Sequence, residues 1–77
     1  MSAKTKLIWD FRGPEAKHIA EHHAKHLKEF AEARKLNDYE CGTQEHSGMF
    51  ASAFISVEEK DVTQTRDALR PHRQLEE

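Results

Sequence analysis

Cysteine occurs once in the 77 residues, at Cys41, so the chain can close no disulfide within itself and build no all-cysteine zinc site. Glycine is nearly as scarce: Gly13, Gly42 and Gly48 are the only three, and none belongs to a phosphate-cradling loop. No nucleotide fingerprint, serine triad or paired-carboxylate spacing is present either. The apolar stretch nearest the N-terminus, Leu7-Ile8-Trp9, is far too short for a signal peptide core or a membrane span. Neither sign of charge dominates. Twelve basic residues against 14 acidic ones give a net charge of −2, without the basic excess of a nucleic-acid binder. These absences predict a cytoplasmic chain with no cofactor, no membrane and no nucleic-acid partner.

What is present fits one small domain spanning residues 1–77. The hydrophobic share of 36% is close to the charged share of 34%, so the core is lean and a partner subunit would help to complete it. Leu7, Trp9 and Phe11 alternate with Ile8, Asp10 and Arg12, the period-two pattern of a strand. Gly13-Pro14 ends it. From Pro14 to Leu36 the chain is free of further glycine and proline, and Ala16, Ile19, Ala20, Leu27, Phe30 and Ala31 fall on one helical stripe. Asn37 suits a left-handed helix end.

Tyr39, Cys41 and Thr43 then alternate with polar neighbours, Glu45 to Gly48 make a turn, and 49–55 form a third strand. That strand is apolar on both faces, with Met49, Ala51, Ala53 and Ile55 on one and Phe50 and Phe54 on the other, which marks it as central. Ser56 and Glu59 have the spacing of a capping box for a second helix, with Val62, Thr65 and Leu69 inward and Pro71 as its stop. The ordered part is expected over about 5–70, with residues 71–77 a frayed tail.

The predicted fold is α+β, in the order β-α-β-β-α. A right-handed crossover gives a three-stranded antiparallel or mixed sheet of order 1-3-2 with both helices on one face. This pattern is similar to the ferredoxin-like group lacking its last strand, a group that includes the dimeric α/β barrels. It leaves the apolar first strand as an open edge, which predicts a homodimer. Gly48 to Phe54 on a central strand also invites comparison with RNA-recognition modules. However, Ser47 stands where those have a basic residue, and the aromatics lie four apart.

Histidine is the unusual component, with six residues. His18, His22 and His26 recur every four residues, and adjacent pairs at that spacing can chelate Zn, Ni or Cu. The acid–histidine motif of a metalloenzyme is missing, so the metal candidates are weak ones. His23 falls between Ile19 and Leu27 in the apolar stripe and should point at the sheet. It is the leading candidate for a general base or ligand contact, with Tyr39 and Asp10 as candidate companions. Trp9, Phe50 and Phe54 are the candidate binding residues. The reading that results is a small dimeric, non-enzymatic binding or regulatory domain for a small ligand or protein partner. A small enzyme of the dimeric α/β-barrel type using a buried histidine is the first alternative, and histidine-based metal binding the second.

Overall fold

The computed structural model describes residues 4–36 and 38–76. Its elements are β1 (Lys4–Arg12), α1 (Ala16–Ala33), β2 (Tyr39–Ser47), β3 (Phe50–Glu58), α2 (Glu59–Leu69) and β4 (Arg73–Glu76). The four strands form one antiparallel sheet in the order β2-β3-β1-β4. The expected arrangement of the first three strands is present, with β3 central and antiparallel to both neighbours.

Two expectations are corrected. The sheet has a fourth strand, because Arg73–Glu76 pairs with β1 from Thr5 to Ile8. β1 is therefore an interior strand, and its apolar edge is closed by the chain itself. Arg70 makes the turn possible by taking a left-handed backbone (φ 49°) at the end of α2, after which Pro71 cannot continue the helix. The capping box also fails. Val57 is fully buried, so burial keeps the strand pattern going through Ser56 and α2 begins only at Glu59. Asn37, the expected helix end, lies outside the described residues; Lys35 has the left-handed backbone instead (φ 55°).

Leu7, Trp9, Ala51, Ala53, Ile55 and Val57 form one sheet face and pack against Ala16, Ala20, Leu27 and Ala31 of α1 and Val62 of α2. Three of the four inward α1 positions are alanine, which lets the helix backbone lie close to the sheet. Ile19 departs from the expected stripe and is 44% exposed. Strand alternation sends Lys6, Ile8, Asp10, Arg12, Phe50, Ser52 and Phe54 to the opposite, helix-free face. At the first turn Gly13 has φ 117°, a backbone that favours glycine, and its N–H donates to the Met49 carbonyl at 2.8 Å. Among the described residues, no helix is long and apolar enough to cross a membrane.

Candidate functional site

Both helices pack on the sheet, and among the described residues no Cα atom of one lies within 8 Å of a Cα atom of the other. The stretch of β1 between them carries Trp9 and Phe11. His23 reaches this stretch from α1, as its spacing predicts. Its ring lies 4.9 Å from the Trp9 ring and 5.5 Å from the Phe11 ring, centroid to centroid. On the other side the Trp9 indole N–H donates to the Leu69 carbonyl at the end of α2, at 3.1 Å. His72, just before β4, has its ring 6.2 Å from that of Phe11. Ile19 stands one helical turn before His23 and is exposed.

The Nε2 atom of His23 is shielded from solvent and has no hydrogen-bond partner. Burial pushes the His23 pKa below its usual 6.5, and the nearby His26, His72 and His22 push it further the same way. The ring is thus neutral at pH 7 and can offer one donor or one acceptor to a group that reaches it. An unpaired buried polar atom costs about 1–3 kcal/mol, so such a site is held at the expense of stability.

The structure does not gather the other catalytic candidates around His23. Asp10 points to the opposite sheet face. Tyr39 is on the helix side but pairs with Val57, whereas Trp9 pairs with Ala53. Four strand residues separate the two rows, roughly 13 Å. Cys41 is half-buried, and burial raises its thiol pKa. Among the candidates named from sequence, no acid, base or nucleophile therefore stands beside His23.

The helix-free face holds Phe50 and Phe54, on the other side of the sheet from Trp9. The Lys6 ammonium lies 4.6 Å from the Phe54 ring centre and the Arg12 guanidinium 4.2 Å from that of Phe50. His46 stacks on Phe50 at 4.4 Å. The Phe54 ring lies over Gly42, where an added Cβ would come within 3.3 Å of it. Between the two phenylalanines runs a chain that sequence reasoning did not find. Arg73 donates twice to the Asp10 carboxylate, at 2.7 and 2.9 Å, and Ser52 donates to it at 2.7 Å. The Arg73 hydrogen bonds contribute most to holding the Asp10 pKa below 3.8; burial opposes them, and the smaller Ser52 hydrogen bond and the nearby positive charge of Arg73 add to the lowering. With its one proton given to Asp10, Ser52 can only accept from His46 Nε2, 2.9 Å away. The order is histidine, serine, aspartate, so the histidine does not activate the serine, and the arrangement is a brace. The signal for it was Asp10 on an otherwise apolar strand, but its partners depend on register.

Of the histidine ladder, His22 and His26 turn their Nε2 atoms toward each other while His18 stays apart; among the described residues no three metal donors converge. No protein-family model, curated protein or solved structure matches the chain.

Proposed function

We propose that the chain is a non-enzymatic binding domain that takes a small ligand in the groove between α1 and α2 and works as a homodimer. One observation carries the ligand reading: the unpaired, solvent-shielded Nε2 of His23, set against Trp9 and Phe11. The ligand this chemistry suits is small, flat and mostly apolar, with a single hydrogen-bonding group. The neutral imidazole meets that group while the two aromatic rings pack its body. Binding is favoured over catalysis because Asp10 and Tyr39 lie elsewhere, which also weighs against the barrel-type enzyme.

With β4 present, the order β-α-β-β-α-β and the strand order β2-β3-β1-β4 support a complete ferredoxin-like arrangement. The homodimer no longer rests on an open β1 edge. It rests on the helix-free face, where Phe50 and Phe54 are only half-buried and Leu75 is 50% exposed. Lys6 and Arg12 on the same face can meet acidic residues of a second copy, which favours self-pairing.

Trp9 is the only tryptophan, so its indole resonance reports the groove directly. Titrating the tag-free protein with small phenols and aromatic carboxylates should give members that shift the Trp9 indole and His23 ring signals together. His23→Phe should abolish those shifts. A series in which no compound moves Trp9, or in which His23→Phe binds as well as the native chain, removes the ligand reading. Light scattering across a concentration series tests the dimer; a mass of one chain at every concentration removes it.

A further inference from the structure

We propose that His22 and His26 form a bidentate site for a late divalent transition ion, with Cu2+ preferred over Ni2+ and Zn2+. The site is independent of the groove, on the outer flank of α1. Both side chains are exposed, and their Nε2 atoms are 3.0 Å apart with the ring centroids at 4.7 Å. Two neutral imidazoles approach this closely only if one proton lies between them. Glu29 decides which ring carries it. Its carboxylate is 3.2 Å from His26 Nδ1, so Nδ1 of His26 bears a proton and donates it to Glu29. Nε2 of His26 then accepts from Nε2–H of His22. This is the tautomer a metal-binding histidine needs, with its second nitrogen held by a carboxylate.

An ion replaces the shared proton. His22 moves its proton from Nε2 to Nδ1, and both Nε2 lone pairs go to the metal without net proton release above the histidine range. The two rings already turn their Nε2 atoms toward each other from adjacent helical turns, and the general affinity order for nitrogen donors places Cu2+ above both Ni2+ and Zn2+. Solvent, or donors from a second chain, fill the remaining positions.

The test uses the full chain without a histidine tag, titrated with Cu2+, Ni2+ and Zn2+ at pH 7.5 by calorimetry, with the copper complex followed by electron paramagnetic resonance. One ion per chain is expected, with nitrogen hyperfine structure from two imidazoles and Cu2+ bound at least tenfold more tightly than Zn2+. His22→Gln and His26→Gln should each remove the saturable copper signal, and His18→Gln should leave it intact. Glu29→Gln should weaken binding about tenfold, the low end for loss of a supporting carboxylate. All four positions are exposed, and circular dichroism checks that each variant folds. A copper spectrum unchanged in the His22→Gln/His26→Gln double variant overturns the site. Zinc binding as tight as copper overturns the copper preference.

Discussion

Replacing His23 by phenylalanine should stabilise the protein, against the usual direction for a change in a buried stripe. The native ring keeps Nε2 away from water without a partner, which costs about 1–3 kcal/mol. Phenylalanine retains a flat ring against Trp9 and Phe11, where each such pair contributes about 0.5–1.5 kcal/mol beyond burial. It removes the polar atom. Helix propensity is nearly equal for the two residues. The expected gain is about 1 kcal/mol, which for a domain this small raises Tm by roughly 4–8 °C. Leucine at the same position removes the polar atom and the ring contacts together, so it should come out near zero. Urea unfolding and calorimetry at pH 7.5, where His23 is neutral, would measure both. If both variants lose more than about 1 kcal/mol, Nε2 has a hydrogen-bonded partner in the native protein, and the groove is not a vacancy held at the cost of stability.

Three further outcomes follow from the same structure. The Asp10 carboxylate has a lowered pKa in the fold, so its stabilisation is fully present above 3.8 and is lost as pH falls below that value; Asp10→Asn should flatten this part of the urea midpoint-versus-pH curve, and parallel curves for the two proteins would contradict the Arg73–Asp10 brace. Gly42→Ala should push the Phe54 ring by a few tenths of an ångström, visible as a shift of its ring protons, at a cost below about 1 kcal/mol; unchanged Phe54 signals would mean that the ring is not over Gly42. Ending the chain at Pro71 should reopen the β1 edge and give soluble aggregates in light scattering, because Leu7 and Ile8 lose the strand that covers their backbone; a well-behaved truncated chain would show that β4 protects nothing.

Much of the frame was legible because it follows from burial. The alternation in β1, the doubly apolar β3 and the position of His23 between Ile19 and Leu27 each state which face a side chain takes. β4 was not legible because burial does not make it. Leu75 is its one apolar residue and is half exposed; the strand is held by backbone pairing and by His72 and Arg73 meeting Asp10, more than 60 positions away. Ile19 was misjudged for a related reason, since a helical stripe says nothing about where the next helix stands, and α2 leaves that flank of α1 uncovered. The His46–Ser52 contact depends on the irregularity between Glu45 and Ser47, which breaks the strand register beside His46. Strict alternation cannot anticipate such a break.

The groove and the helix-free face are on opposite sides of β1, yet β4 ties them together. His72 has its ring beside Phe11 while its Nδ1 accepts the Asp10 backbone N–H at 3.0 Å, which carries the strand pairing one step beyond Arg73. Arg73 then pins the Asp10 carboxylate, from which the chain runs through Ser52 to His46 and the Phe50 ring. A ligand in the proposed groove that packs on Phe11 and His72 should further stabilise the β1–β4 pairing, and with it the face on which the second copy is proposed to dock. Coupling of this kind is reciprocal, so ligand should tighten self-association by the same factor by which self-association tightens ligand binding. Arg73→Ala cuts the link without touching the groove or the two phenylalanines. In that variant the ligand should still shift the Trp9 indole, while the dimerisation constant measured by sedimentation should no longer respond to it. A native dimer equally strong with and without ligand would show that the two faces act independently, and that β4 serves only to close the sheet.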